Sequence, residues 1–86
     1  MSDTATGTTA RAEAVLAFVV KGIVDNPDAV KVSTTGEDRL QINIEVGDGD
    51  MGRVIGRRGR VANAIRAVGR AAAAIDGLDV DVEFVE

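Results

Sequence analysis

Hydrophobic residues recur at helical spacing near the start of the chain, and this spacing predicts a first helix. The helix is predicted to begin at Thr8 or Thr9, where a threonine side chain can cap its first turn. It is predicted to end at Asn26-Pro27, because the residue before a proline avoids the helical region. The predicted apolar face consists of Val15, Leu16, Val19, Val20 and Ile23.

Hydrophobic and polar residues then alternate in two stretches, a pattern typical of half-buried strands. Val30, Val32 and Thr34 alternate with polar neighbours in the first stretch, and residues 40–46 alternate more regularly in the second. Residues 36–38, which are Gly-Glu-Asp, separate the two stretches and favour a turn. The pattern therefore predicts a β-hairpin.

The rest of the chain predicts a short helix, a longer helix and a final strand. Asp50 is placed to cap the short helix, residues 51–55, and the long helix is predicted over residues 60–75. Gly69 lowers helix stability by about 1 kcal/mol relative to alanine, so its presence indicates close approach of a neighbouring element. The final strand alternates over residues 78–84. The apolar stripe predicted for the long helix consists of Val61, Ile65, Val68, Ala72 and Ile75.

The order helix, strand, strand, short helix, long helix, strand indicates an α+β fold. Each predicted strand has one apolar face, which predicts a single three-stranded sheet covered by helices on one side only. Phe18 and Phe84, the two aromatic residues of the chain, fall on apolar faces and are predicted to lie in the core. The uncovered side of the sheet should repel phosphate, because it carries Glu45, Asp79, Asp81 and Glu83.

Length and composition limit the number of domains. The chain has 86 residues, enough for one domain with a modest core. The small polar residues 1–8 are predicted to form a disordered tail, and residues 9–86 a single domain. The sequence shows neither a membrane-spanning run nor a signal-peptide pattern, which predicts a cytoplasmic protein.

The chain contains no cysteine and no histidine. The missing cysteines exclude disulfides and thiolate metal sites, and the missing histidines remove the commonest general base and metal ligand. A core of this size also has little room for a pocket around a perturbed acid or base. We therefore expect no enzymatic activity, no catalytic residues, no metal and no cofactor.

Charge is distributed unevenly along the chain. The net charge is -4, yet residues 51–75 contain six arginines and no acidic residue. The rest of the chain holds four basic residues and all fourteen acidic ones. A solvated helix usually mixes charges of both signs in supporting pairs. The local positive field therefore indicates a defined anion site.

Two glycines three residues apart, Gly56 and Gly59, separate the two predicted helices of this basic stretch. Gly56 can end the short helix in a left-handed conformation, and Gly59 lets the backbone approach a ligand where the long helix begins. The unpaired N–H groups and the dipole at that helix start attract anions, and Arg57, Arg58 and Arg60 add positive charge. Phosphate is the natural ligand of such a site.

A literal dinucleotide fingerprint, GxGxxG, occupies residues 47–52. The strand before it alternates, whereas the strand of a dinucleotide-binding unit is apolar on both faces. Asp48 and Asp50 would also face the pyrophosphate of a bound dinucleotide. We therefore exclude dinucleotide binding.

The residues around Gly56 and Gly59 resemble a known signature. The segment GRVIGRRGRVANAIRAV resembles the GxxG motif of a KH domain, with arginine where the motif usually has lysine. The order of elements resembles the bacterial type II KH arrangement, α-β-β-α-α-β, in which the three-stranded sheet is mixed. From about Thr9 onward, and most clearly in DMGRVIGRRGR and AIRAVGRAAA, the chain is similar to the KhpA family of small stand-alone bacterial KH-domain RNA-binding proteins.

This resemblance implies a non-catalytic protein that binds single-stranded RNA, whose GxxG loop clamps the backbone of about four nucleotides. The bases would lie in an aliphatic groove between the helices and an edge strand, lined by Val54 and Ile55, for which a place in the core is the open alternative. Ile65 would lie behind the groove and Ile42 or Ile44 opposite, although a place in the core is the favoured interpretation of these three. The predicted RNA-binding residues are Arg53, Val54, Ile55, Gly56, Arg57, Arg58, Gly59 and Arg60.

The resemblance also implies a role and partners. The role is that of a bacterial RNA chaperone or post-transcriptional regulator, and the partners are a second copy, a larger KH-containing protein of the KhpB type, or both. Aromatic stacking can supply about 1–3 kcal/mol per base, so without it we expect weak RNA binding by one copy. A second domain would then raise the affinity.

One alternative function stays open at this point. The chain can be a protein-interaction module, a dimerising subunit whose RNA contacts are made mainly by a partner. The residues themselves do not distinguish RNA from single-stranded DNA, and only the resemblance implies RNA.

Overall fold

The computed structural model describes residues 8–85, so the predicted tail, residues 1–8, lies almost entirely outside the described residues. The helices and strands are α1 (Ala10–Lys21), β1 (Lys31–Thr35), β2 (Leu40–Glu45), α2 (Met51–Ile55), α3 (Arg60–Ile75) and β3 (Val80–Val85). Short 3-10 turns lie at Pro27–Ala29 and Arg57–Gly59. This order of elements confirms the predicted α+β class. No helix in the described range is long and apolar enough to cross a membrane.

The three strands form one mixed sheet in the order β1-β2-β3. β1 and β2 are antiparallel, with Lys31 opposite Glu45, which confirms the predicted hairpin. β2 and β3 are parallel, with Leu40 opposite Val80. Because parallel neighbours require a crossover connection, α2 and α3 lie between them in the chain. β2 is therefore the central strand, and β1 and β3 form the edges.

The helices cover one face of the sheet, as predicted. At Gly69 on α3, an added Cβ would lie 3.0 Å from side-chain atoms of both Leu16 and Val82. Glycine therefore allows α1, α3 and β3 to meet, which confirms the close approach predicted for this position. The largest fully buried side chains are Leu16, Val20, Ile42, Ile44, Val54, Ile65, Val80 and Val82.

The buried face of α3 differs from the predicted stripe. Val68 and Ile75 are 39% and 68% exposed, so the prediction that they pack in the core is wrong. The stripe was predicted from the largest residues, but small residues allow a helix to approach its neighbours more closely. The buried face is formed by Ala62, Ile65, Gly69, Ala72 and Ala73.

Phe18 on α1 is also outside the core. Its side chain is 81% exposed, so its predicted burial is wrong. Phe18 follows Leu16 by two positions, which turns it about 200° around the helix and away from the fully buried Leu16. The other aromatic residue, Phe84, is half-buried and packs against the edge of the core.

α1 ends at Lys21 instead of continuing to Asn26. Gly22 follows it, and glycine has a low helix propensity. The backbone N–H groups of Asp25 and Asn26 donate to the two carboxylate oxygens of Asp50, at 3.1 Å each. These amides therefore have a partner outside any helix, and Asp50, which is 2% exposed, ties the end of the α1 region to the start of α2.

This contact changes the predicted role of Asp50. Its side chain makes no capping hydrogen bond to α2, so the predicted side-chain cap is wrong. The tertiary contact with the chain after α1 uses both carboxylate oxygens instead. Asp50 still stands at the N-cap position, where its backbone oxygen accepts from the N–H groups of Arg53 and Val54.

The uncovered face of the sheet is acidic, as predicted, but one carboxylate on it is paired. Arg39 donates two hydrogen bonds to the Asp81 carboxylate, at 2.8 and 3.2 Å. These bonds hold the pKa of Asp81 below its ordinary value. Glu45, Asp79 and Glu83 remain exposed on the strands or beside them.

Candidate nucleic-acid interface

The loop between α2 and α3 has an unusual backbone. Gly56 (φ 70°), Arg58 (φ 58°) and Gly59 (φ 73°) all have positive φ. Gly56 combines its positive φ with ψ -178°, a region that is essentially restricted to glycine. The helix-ending role predicted for Gly56 is therefore confirmed, although its ψ places it outside the left-handed helical region.

Gly56 and Gly59 tolerate a side chain to different degrees. An added Cβ on Gly56 would collide with Val61 Cγ2 and lie 2.8 Å from Val61 Cβ. An added Cβ on Gly59 would meet no atom within 4 Å. The backbone around Gly59 is therefore open to a neighbouring molecule, whereas Gly56 lies against the first turn of α3.

Arg58 adopts a left-handed conformation without being glycine (φ 58°, ψ 25°). This conformation costs an ordinary residue about 1–2 kcal/mol. Strain of this kind accumulates at functional sites, where surrounding structure maintains it. A glycine at this position would remove the strain but also the guanidinium group.

The start of α3 provides amide groups beside the loop. No side chain caps this helix start. The N–H of Gly59 donates to Gly56 O at 3.3 Å, and that of Arg60 donates to Arg57 O, so these two amides are used within the loop. The next amides in the first turn have no partner four residues earlier in α3, and the helix dipole adds partial positive charge there.

Three arginines adjoin this helix start in the sequence. Arg57, Arg58 and Arg60 are exposed, and no carboxylate within residues 8–85 forms an ion pair with any of them. Their charges therefore remain available to an anion at the start of α3.

Arg53 differs from these three arginines. Its Nη2 lies 2.8 Å from Asp25 Oδ2, and its Nε lies 3.4 Å from Asp50 Oδ1. These two carboxylates compensate its charge, so the structure separates Arg53 from the other predicted site residues. Asp25 is distant from Arg53 in the sequence, and the sequence alone showed no signal for this pair.

The two aliphatic residues before the loop are buried to different degrees. Val54 is fully buried in the core, and Ile55 is half-buried. Val54 has no exposed surface for a nucleobase, because its side chain is part of the hydrophobic core. Of the pair predicted to line a groove, Ile55 alone presents surface.

The chain matches the family model of the KhpA/KhpB KH domain over residues 13–84. The chain belongs to the KhpA/KhpB family of KH domains. The matched residues include both glycines of the loop and every described helix and strand except the first residues of α1 and the last of β3. Membership confirms the resemblance noted in the sequence and the type of fold that it implied.

Relatives in three bacteria agree with this assignment. The RNA-binding protein KhpA of Clostridium acetobutylicum is 44% identical over 72 residues, covering 83% of this chain and 96% of the relative. That of Streptomyces coelicolor is 44% identical over 75 residues (86% and 91%). That of Leifsonia xyli is 46% identical over 72 residues (83% and 92%). No solved structure matches the chain significantly.

These relatives are named for RNA binding and not for an enzymatic activity. This agrees with the prediction that the KH domain described here is not an enzyme. Within residues 8–85, no group of three or more acidic side chains is arranged to hold a metal ion.

β3 is the edge strand that contacts α3, since Arg66 Nε donates to Val82 O on this strand. Ile42 and Ile44 on β2 are fully buried and Ile65 is 2% exposed, which confirms the favoured interpretation of all three as core. These three side chains therefore offer almost no surface to a base, and a base-binding groove beside an edge strand stays a prediction.

The sequence did not predict the contact between Arg66 and Phe84 at the β3 edge. The guanidinium carbon of Arg66 lies 5.6 Å from the ring centroid of Phe84, within the range of a cation–π contact. Alternation along β3 placed Phe84 on the buried face with Val80 and Val82, which is why it was assigned to the core. Sequence reasoning gave no sign that β3 forms an edge next to Arg66.

Proposed function

We propose that this chain binds single-stranded RNA without catalysis, and that its KH loop, Gly56 to Gly59, holds the phosphate backbone of about four nucleotides. The observation that supports this most directly is the set of exposed arginines without ion pairs, Arg57, Arg58 and Arg60, beside the uncapped start of α3. The family and the names of its members make RNA the favoured nucleic acid.

The proposed contact combines two kinds of donor. Amides in the first turn of α3 and the helix dipole attract one phosphate. The planar guanidinium groups of Arg57, Arg58 and Arg60 can donate two parallel hydrogen bonds each to phosphate oxygens. The arginines therefore strengthen a site to which the backbone also contributes.

The rest of the surface favours binding at this loop. The uncovered face of the sheet carries exposed carboxylates, which repel a polyanion. A strand held at the loop would place its bases towards Ile55 and the β3 edge. We further propose that the protein acts in the bacterial cytoplasm as an RNA chaperone or post-transcriptional regulator.

The test is a charge reversal in the loop. Replacing Arg57 and Arg58 together by aspartate should abolish the retention of RNA in a gel shift while leaving the helical spectrum and the melting temperature nearly unchanged. The matched control reverses two exposed lysines outside the site, Lys21 and Lys31, with the same change in net charge. RNA binding that survives the loop change, or that is lost equally in the control, would exclude the loop as the phosphate site.

An exposed apolar surface supports a second function, that of a dimerising module. Arg11, near the start of α1, pairs with Asp76, just after the end of α3, so the two helices run antiparallel. Phe18 is therefore level with the middle of α3, and Val68 and Ile75 lie two turns apart on that helix. All three side chains are exposed. Large apolar groups that are exposed together on one surface favour a protein contact.

We propose that this surface holds a second copy or a larger KH-containing protein of the KhpB type. Sedimentation of the wild type and of Ile75→Glu, with and without RNA, tests it. A dimer in the wild type and a monomer in the variant are expected. A tight dimer that crosslinks to no cellular RNA would favour the interaction module as the main function, and a monomer throughout would exclude self-association.

A further inference from the structure

Arg66 on α3 is fixed by three contacts, although an arginine side chain in this half-exposed position is normally mobile. Its Nε donates to Val82 O at 3.2 Å, and its Nη1 donates to Asn63 Oδ1 at 3.1 Å. Its guanidinium carbon lies over the ring of Phe84, 5.6 Å from the centroid. Backbone, amide and aromatic partners together hold the group at the open edge of β3.

These contacts leave part of the guanidinium group unused. Arginine has five N–H donors, and the bonds to Val82 and Asn63 use two of them. No carboxylate within residues 8–85 pairs with Arg66. The remaining donors, on Nη1 and Nη2, form an edge that can bind two adjacent acceptors.

Arg66 also lies within reach of a strand bound at the KH loop. Asn63 lies one turn from both Arg60 and Arg66, so the three positions follow a line that leads away from the loop and turns about 120° around α3. Six residues of helix separate Arg66 from Arg60 by about 9 Å along the axis. Four nucleotides stacked at about 3.4 Å per step span about 10 Å, so one strand can contact both groups.

We propose that Arg66 contacts a nucleobase of the bound strand and selects bases that present two adjacent acceptors, guanine or cytosine, at this position. This proposal rests on the proposed RNA binding through the KH loop. Guanine offers O6 and N7 side by side, a pair that arginine binds in two parallel hydrogen bonds. Cytosine offers O2 and N3, whereas adenine has no two adjacent acceptors.

Phe84 has a positioning role in this arrangement. The ring attracts the guanidinium group and limits its rotation, so less side-chain entropy is lost when a base binds. Lysine in place of Arg66 would keep the positive charge but lose the planar fork of donors. Arg66→Lys therefore separates base selection from simple attraction to phosphate.

The experiment measures fluorescence anisotropy of four labelled RNA octamers, (UG)4, (UC)4, (UA)4 and U8, with the wild-type protein and Arg66→Lys. The wild type should bind (UG)4 or (UC)4 about tenfold more tightly than (UA)4, in line with the discrimination of a two-hydrogen-bond arginine contact. The octamer that binds more tightly, (UG)4 or (UC)4, shows whether Arg66 selects guanine or cytosine. In Arg66→Lys the ratio should fall close to one, while the affinity for (UA)4 changes less than about twofold.

Two controls make the result specific. Arg70→Lys changes an exposed arginine one turn further along α3 and should leave the ratio unaltered. Phe84→Leu keeps apolar bulk at the strand edge and should lower the ratio. If Phe84→Leu does not fold, the surface change Arg66→Lys decides alone.

The outcomes separate the two proposals. The Arg66 proposal is wrong if binding depends on Arg57 and Arg58 but all four octamers bind equally. It is also wrong if Arg66→Lys keeps the wild-type ratio. In both cases the proposed phosphate contact at the KH loop is retained. If no octamer binds, or binding is insensitive to Arg57 and Arg58, both proposals are wrong.

Discussion

Arg53 and the loop arginines lie within eight residues of one another, yet they have different electrostatic surroundings. Arg53 lies between Asp25 and Asp50, with its nearest carboxylate oxygen at 2.8 Å. Arg57, Arg58 and Arg60 are exposed and pair with no carboxylate in the described part of the chain. Groups of the same chemistry thus differ in their surroundings: Arg53 connects two segments of the fold, and the three loop arginines are the ones that we propose to contact phosphate.

The difference comes from what the fold brings near each group. The chain after α1 passes the start of α2, where the buried Asp50 accepts from its backbone and Asp25 reaches Arg53. Within residues 8–85, no carboxylate pairs with an arginine of the loop between α2 and α3. An arginine-rich stretch in a sequence therefore overstates the positive charge that a ligand encounters.

The largest expected effect is on stability, from removal of the carboxylate that anchors Arg53. Asp50→Ala leaves two backbone N–H groups and one guanidinium without their buried partner. We expect a loss of about 2–4 kcal/mol, which lowers the melting temperature by roughly 10–25 °C. Asp25→Ala is the control, because that side chain is 74% exposed and should contribute about 0.5 kcal/mol or less. Equal melting temperatures for the two variants would contradict the anchoring role of Asp50.

The next effect compares the two glycines of the loop. Gly56→Ala combines a disfavoured backbone region with a collision against Val61, so we expect a loss of at least about 2 kcal/mol together with weaker RNA binding. Gly59→Ala meets no neighbouring atom and should cost about 1 kcal/mol from its left-handed backbone alone. Chemical denaturation measures both. If Gly59→Ala is less stable than Gly56→Ala, the collision with Val61 does not determine the loss of stability.

RNA affinity should distinguish the arginines directly. Arg57→Ala or Arg58→Ala should weaken binding about tenfold, as expected for loss of one charge-assisted phosphate contact. Arg53→Ala should change the affinity by less than about twofold, because its charge is compensated within the protein. Anisotropy titration at fixed salt provides the measurement. If Arg53→Ala lowers the RNA affinity as much as Arg57→Ala does, Arg53 belongs to the RNA-binding site after all.

The salt dependence of binding gives a smaller but more specific signal. Each phosphate contact on a single strand contributes about -0.7 to the slope of log affinity against log salt concentration. Arg57→Ala should therefore make the slope less steep by about 0.7, and Arg53→Ala should leave it unaltered. Titrations at several salt concentrations measure this, and identical slopes for the wild type and Arg57→Ala would mean that Arg57 touches no phosphate.

The smallest effect concerns the pair on the uncovered sheet face. Because Arg39 lowers the pKa of Asp81 in the folded protein, the unfolded chain binds the proton more readily. The stabilisation is present above the ordinary pKa of aspartate, about 3.9, and is lost as the pH falls through the lowered value. At pH 6 the melting temperature of the wild type should be slightly higher than that of Arg39→Gln. This difference in melting temperature should shrink towards pH 2.5. RNA affinity at pH 6 should be the same in both, since the pair lies away from the loop.

Much of the fold followed from the pattern of the sequence. The bounds predicted for α2 and α3 are those of the structure, and the hairpin and the close approach at Gly69 are confirmed. These features depend on local periodicity and on glycine, which act within a few residues. The predictions for Phe18, Val68 and Ile75 were wrong, because residue size alone does not show which side of a helix meets its neighbours.

The candidate site was predictable to a similar extent. The two glycines and the arginines beside them were identified because their roles depend on backbone conformation and on charge within one segment. The pairing of Arg53 and the burial of Val54 were not identified, since both depend on segments that are distant in sequence. The contact of Arg66 with Phe84 also depends on the position of β3 in the sheet.

By itself, the sequence determined the order of helices and strands, the glycine-bounded turn between α2 and α3, and the concentration of arginines around it. Only the tertiary structure decided which arginines have no carboxylate partner, that β3 is an edge strand beside α3, and that an aromatic ring lies beneath Arg66 at that edge. The physical reason is the separation along the chain of the residues that interact. Backbone conformation is set by near neighbours, whereas charge compensation and surface exposure depend on which distant segments the fold brings together.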